Sequence, residues 1–234
     1  AKANEIQTTA KGFNIGAAVP GARLTDHKAL KKAWPGVVEA ANLIGSDQIQ
    51  GRCTLAGNLC NASPAADSVP AMIAAGAKAV IVGAKKRRTV PVEKVAIGPG
   101  QTCLGSDELI ESITLPKPGP RTGDAYLRFI PRTEMDIAVV GVAVCVTLER
   151  GRVKSARVAL GAVAPTAVLV PAAARAIVGT SLDDEALEKL SRACSAACNP
   201  IDDKRGTVEY RTRLAGVLAK RAAKIAFSRA GGNS

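Results

Sequence analysis

The sequence predicts an α+β fold in two parts, and three observations carry that prediction. A stretch near the middle of the 234 residues, Leu115-Pro116-Lys117-Pro118-Gly119-Pro120, reads as a stiff, extended linker. Short runs rich in Val, Ile and Thr, separated by turn residues, occur on both sides of it. Beyond the linker the strand candidates come first and the helix candidates after them, which is the segregated order of an α+β domain. The expected division is therefore residues 1–118 and residues 119–234. Apolar residues make up 47% and aromatic residues only 3%, so the core has to be built from Ala, Val, Leu and Ile.

The elements follow in chain order. Gly12 to Val19 is a strand candidate. Asp26 to Trp34 and Gly36 to Ile44 have helical character. Gly45 to Asn61, rich in Gly, Asn, Ser and Gln, reads as a loop. Ser63-Pro64 has the signature of a helix start, a capping hydroxyl followed by proline. The helix expected there ends at Gly76, with Pro70 kinking it. Ala79 to Val82 and Thr89 to Val92 read as paired strands, with Lys85-Lys86-Arg87-Arg88 at the tip between them. Such a basic run fits a solvated hairpin tip better than a nucleic-acid patch. Leu109 to Leu115 closes the first half as a strand. In the second half Ile137 to Leu148 and Val153 to Val163 form an antiparallel hairpin around Glu149-Arg150-Gly151-Arg152. Helices are expected over Pro171 to Val178, over Asp183 to Cys198 capped by Ser181, and over Thr207 to Phe227.

Composition narrows the possible functions. The chain carries 32 Lys and Arg against 20 Asp and Glu, a formal charge of +12. That balance points to nucleic acid, a phosphate-bearing cofactor or an acidic partner. The single histidine, His27, excludes any mechanism that needs two. No apolar run is long enough for a membrane span. The first residues lack the pattern of a signal peptide. The missing initiator Met suggests processing or a piece of a longer chain. The six cysteines, Cys53, Cys60, Cys103, Cys145, Cys194 and Cys198, have neither zinc-site nor iron–sulfur spacing. They read as small buried hydrophobes in a reducing compartment, so the expected location is the cytoplasm.

The segment richest in chemical information runs from Ile44 to Asp67. Its core, Thr54-Leu55-Ala56-Gly57-Asn58, is followed by Asn61-Ala62-Ser63-Pro64-Ala65-Ala66-Asp67. Small side chains let backbone N–H groups approach an anion, and a helix start adds a favourable field. Thr54 and Ser63 offer hydroxyls, Asn58 and Asn61 offer amides, and the Asp67 carboxylate can accept from a polyol. The segment read alone is equally a Gly-Asn turn with a helix cap. Read alone, Ile44 and Ile110 are plain core residues, and Arg128, on an alternating strand, is a surface charge.

The Thr54–Asn58 run resembles the second flavin-binding motif, Thr-Ile-Gly-Gly-Asn, of the FAD subunits of molybdenum hydroxylases, the xanthine dehydrogenase and aerobic carbon monoxide dehydrogenase family. The resemblance extends over nearly the whole chain. Ile44-Gly45 with Gln48-Ile49 is similar to the family's lead-in, and Asn61 to Asp67 to its exit into a helix. Gly98 to Pro116, Tyr126 to Val140, Leu160 to Thr166, and Asp203-Lys204-Arg205-Gly206 with Tyr210-Arg211 resemble later family segments in the right order.

The resemblance implies that Thr54, Leu55, Ala56, Gly57 and Asn58 contact the FAD pyrophosphate, and that Asp67 lies on the flavin's polyol chain. It sets Ile44 and Ile110 beside the isoalloxazine ring, and Arg128 where relatives carry a Lys near the cofactor. It implies an electron-transfer subunit with no catalytic side chain and no metal of its own. The molybdenum cofactor would sit on a large partner subunit and the [2Fe-2S] clusters on a small one, with FAD passing electrons to NAD, a quinone or oxygen. Neither a membrane nor a nucleic acid would be a partner. Two departures stand out. Ala56 replaces the first glycine of the signature, which costs affinity if that position needs positive φ or very close backbone approach. Nothing before residue 45 matches the family's first Gly-rich loop. A flavin-free structural subunit of the same complex and, further off, a basic anion- or nucleic-acid-binding module are the competing readings.

Overall fold

The computed structural model describes residues 2–133 and 135–232. The first half is a five-stranded antiparallel sheet covered by helices. Its chain order is β1 (Ile6–Thr9), β2 (Gly12–Gly16), then six helices: α1 (Gly21–Asp26), α2 (Lys28–Ala33), α3 (Pro35–Asn42), α4 (Asp47–Gln50), α5 (Leu55–Cys60) and α6 (Ser68–Ala74). Next come β3 (Lys78–Val82), β4 (Arg87–Pro91), the small ribbon β5 (Ala96–Gly98) and β6 (Gln101–Thr102), and β7 (Leu109–Pro116). The sheet order is β1-β2-β7-β3-β4, so β7 closes the half by inserting at its centre. Its Ile110, Ile113 and Leu115 are buried, as a central strand requires.

The second half is a four-stranded antiparallel sheet with three helices. Its strands are β8 (Thr122–Phe129), β9 (Val140–Glu149), β10 (Arg152–Gly161) and β11 (Val168–Leu169), in the order β11-β10-β9-β8. Its helices are α7 (Pro171–Ile177), α8 (Asp184–Ala196) and α9 (Val208–Arg229). Side chains of β9 alternate in size. Val140, Val142, Val144, Val146 and Leu148 enter a core with α7, α8 and α9, whereas Ala143 and Cys145 enter the core of the first half. Both faces are thus covered, which is why β9 reads as a nearly continuous apolar run. The small residues sit where α6 packs on the sheet. A Cβ on Gly161 would stand 2.7 Å from Pro70 Cγ.

Several local expectations need correction. Gly45 to Asn61 is not a plain loop, for it holds α4 and α5. Ser63-Pro64 does not open a helix. Ala62 has φ 48°, Ser63 to Ala66 form a turn, and α6 begins only at Ser68. Pro70 then lies in the first helical turn, where no backbone donor is required, and produces no kink. Gly76 does end α6, with φ 71°. The helix expected over Asp26 to Trp34 is interrupted at His27, whose Nδ1 accepts from Leu30 N at 3.1 Å and so caps α2. Asp183, not Ser181, caps α8 by accepting from Ala186 N at 2.9 Å. Arg87 and Arg88 belong to β4 and pair with Glu111 and Glu108, so only part of the basic run forms the tip. The strand expected from Ile137 begins at Val140. Of the cysteines, Cys145 and Cys194 are buried, but Cys60 is exposed.

Candidate functional site

Thr54 starts α5 from an extended conformation (φ −132°, ψ 159°), and its Oγ1 accepts from Gly57 N at 2.9 Å. The residue before it is fixed by Gly21 N donating to Cys53 O at 2.8 Å, and Thr54 itself bridges to Pro20. The N–H of Ala56 meets no acceptor among the described residues. Gly57 is exposed, and a Cβ there would meet only Thr54 Oγ1, at 3.1 Å, leaving its outer side open to close approach. Asn58 has an internal task. Its Oδ1 accepts from Ser68 N at 3.2 Å and from Ser68 Oγ at 2.7 Å, tying α5 to α6. Ala56 lies inside α5 without positive φ, so the condition under which it would cost affinity through backbone strain is absent.

Asp67 occupies the N-cap position of α6 but makes no capping bond. Its carboxylate turns to β8. Tyr126 donates its hydroxyl to Oδ1 at 2.9 Å, and Arg128 Nη1 donates to Oδ2 at 2.7 Å. The Arg128 side chain is only 7% exposed, so this is a buried pair and not the surface charge that strand alternation suggests. Burial pushes the Asp67 carboxyl up to about 6, against the opposing pull of Arg128 and Tyr126. The Tyr126 phenol is raised well above its ordinary value by burial and by the neighbouring carboxylate.

The common origin of these contacts is the pleat of β8. Asp124, Tyr126 and Arg128 alternate, so they share the face turned toward the first half. Asp124 Oδ2 accepts from Val37 N at 3.2 Å at the start of α3, and burial raises that carboxyl to about 6. The opposite face, Gly123, Ala125, Leu127 and Phe129, meets the core of α9 and its neighbours. One strand of the second half thereby holds two helices of the first.

The structure thus brings Asp67 and Arg128 into contact and links Asn58 to the start of α6 beside Asp67. Ile44 is half-buried just past α3. Ile110 is buried in the first core on β7, opposite Ile81, on the strand against which α5 packs. Tyr126 is the member sequence reasoning missed. Its signal is the spacing Asp124-x-Tyr126-x-Arg128, which on a strand puts three polar groups on one face.

The donor set fits a dinucleotide. It offers an exposed glycine at a helix start, an available backbone N–H, a hydroxyl and amide around it, and a carboxylate fixed nearby. Two family profiles match the chain: the FAD binding domain in molybdopterin dehydrogenase over residues 1–118, and the CO dehydrogenase flavoprotein C-terminal domain over residues 125–226. The class these define is an FAD-binding oxidoreductase subunit. The chain belongs to the FAD-binding medium subunits of the molybdenum hydroxylase family, the group that includes carbon monoxide and xanthine dehydrogenases. It is 33% identical to the carbon monoxide dehydrogenase medium chain of Hydrogenophaga pseudoflava, over 92% of this chain and 75% of that one. It is 29% identical to the xanthine dehydrogenase FAD-binding subunit of Escherichia coli O157:H7, over 94% of this chain and 76% of that one. Among solved structures, it matches a chain of carbon monoxide dehydrogenase from Hydrogenophaga pseudoflava with a TM-score of 0.93 at 33% identity, covering 97% of this chain and 79% of that one. Among the described residues no helix is long and apolar enough to cross a membrane.

Proposed function

We propose that this chain carries FAD between electron donors on partner subunits and an external acceptor. The donors are a large subunit with the molybdenum cofactor and a small one with [2Fe-2S] clusters. The acceptor is NAD, a quinone or oxygen, and the complex works in the cytoplasm. The chain would divide its work between an FAD-binding part, residues 1–118, and a C-terminal part, residues 119–234. The observation that carries the reading is the joining of the Thr54–Asn58 helix start to Ser68, next to Asp67, and of Asp67 to Arg128 across the two halves.

FAD, when bound, supplies the capacity to take up and release electrons singly or in pairs. The chain's own residues bind and orient. The backbone N–H of Ala56 and the Thr54 hydroxyl, beside the open Gly57, hold the pyrophosphate, and the surplus of Lys and Arg favours it from a distance. Asp67, ionised above about pH 6, accepts from the polyol through lone pairs that Tyr126 and Arg128 leave unused. Ile44 and Ile110 give the ring an apolar border. Arg128 keeps the site from presenting an uncompensated carboxylate. No side chain acts as a general acid or base.

The visible spectrum of the purified chain, before and after adding FAD, tests the reading. Oxidised-flavin bands that stay with the protein through gel filtration are expected. A chain that remains colourless after incubation with excess FAD overturns the reading.

A further inference from the structure

We infer that Tyr126 is a positioning residue of the flavin site: its hydroxyl, seated in space that Gly141 leaves open, holds the Asp67 carboxylate turned away from its own helix and toward the ligand. The inference rests on the flavin reading of Asp67 and adds a residue to which sequence reasoning assigned no role at the site.

Three observations carry it. First, Asp67 stands at the start of α6 in helical geometry (φ −57°, ψ −44°), and its own helix offers it no donor: Ser68 N bonds Asn58, Val69 N bonds Ala66 O, and Pro70 has no N–H. The orientation of the carboxylate is therefore set from outside α6, by β8. Second, two donors act on two different oxygens, Tyr126 on Oδ1 and Arg128 on Oδ2. One donor would leave the carboxylate free to pivot about it. Two fix its plane, and each oxygen keeps a lone pair for a ligand hydroxyl. Third, the position that makes room for Tyr126 is a glycine. A Cβ on Gly141 would stand 2.6 Å from the Tyr126 hydroxyl and 3.3 Å from its ring. Gly141 is in a strand and has no positive φ, so its backbone does not call for glycine. Glycine weakens a strand, and here the space it leaves is filled by the tyrosine.

Tyr126 acts through Asp67 and needs no contact with the flavin. From β8 the groups facing Asp67 are Arg128 and Tyr126, and from α5 and α6 the neutral Asn58 and Ser68. The Tyr126 hydrogen bond favours the charged carboxylate and lowers its pKa. Its loss moves protonation of Asp67 to higher pH.

The test is FAD affinity of the full chain, read by flavin fluorescence, from pH 5 to pH 8.5. The native chain should lose affinity as pH falls through about 6. Tyr126→Phe should bind about tenfold more weakly at pH 7, with the midpoint of its pH profile displaced upward. Gly141→Ala, which displaces the hydroxyl by another route, should show the same displacement. Asp67→Asn should bind weakly with a flat profile. If Asp67→Asn binds FAD as the native chain does at every pH, the flavin reading of Asp67 fails. If Asp67→Asn behaves as expected but Tyr126→Phe keeps the native midpoint and affinity, only the present inference fails. If neither Tyr126→Phe nor Gly141→Ala folds by circular dichroism, Tyr126 is a structural residue and the inference falls.

Discussion

Replacing Arg128 by Met removes the countercharge of a buried carboxylate while keeping most of the side-chain volume. The cost depends on pH in a way that can be worked from the structure. Asp67 titrates near 6 in the folded chain and near 3.8 when exposed. A carboxyl with a raised folded value binds more protons when native than when unfolded between those two values. Its contribution to stability therefore falls as pH rises from about 4 to about 6 and is constant above that. At pH 7 this already costs the native chain about 3 kcal/mol, at 1.36 kcal/mol per pH unit. Without Arg128 the buried carboxyl titrates higher still. Its cost is then limited by the work of protonating an exposed carboxyl at that pH, about 4.4 kcal/mol. The electrostatic destabilisation of Arg128→Met is at most the difference, about 1.4 kcal/mol at pH 7. That ceiling rises by about the same amount at pH 8, and the effect vanishes at pH 5, where Asp67 is protonated in both proteins. Urea denaturation at the three pH values measures it, since midpoint shifts at constant slope report stability alone. A destabilisation that is equal at pH 5 and pH 8 refutes the assignment of Asp67 as the carboxylate that Arg128 compensates.

Other outcomes follow from the same geometry. Ala56→Gly should destabilise the chain by about 1 kcal/mol in urea, because the residue is helical and gains nothing from glycine's freedom. FAD affinity should be unchanged or tighter in that variant, and a clear loss would contradict the account of the Thr54–Asn58 segment. Gly123→Ala should be severe. Its Cβ would stand 2.2 Å from Ala226 O and 2.6 Å from Ala230 N, so α9 must lift from β8. A loss of about 3 kcal/mol, or roughly 6–12 °C in Tm, is expected by calorimetry. A native melting temperature would show that α9 does not pack there.

The sequence alone determined the α+β class, the β9–β10 hairpin and the central importance of Ile44 to Asp67. Each of these is written in local terms: residue period, turn chemistry, and a run of small and polar residues. It also marked Gly76 as a helix end, because a cap needs only its neighbours. It failed where two local signals competed. Ser63-Pro64 is a sound helix start by composition, but the positive φ of Ala62 and the turn after it delay the helix to Ser68. The tertiary structure alone decided the state of Arg128, the bond from Tyr126 and the capping of α3 by Asp124. Tyr126 and Arg128 lie 59 and 61 residues from Asp67 in sequence. Alternation along β8 says that Asp124, Tyr126 and Arg128 share a face, but not whether water or two helix starts lie against it. That depends on how the second sheet docks on the first half, where close approach of α6 to small residues buries that face. Burial is what turns an aspartate and an arginine into a fixed pair, because water no longer screens their charges or competes for their hydrogen bonds.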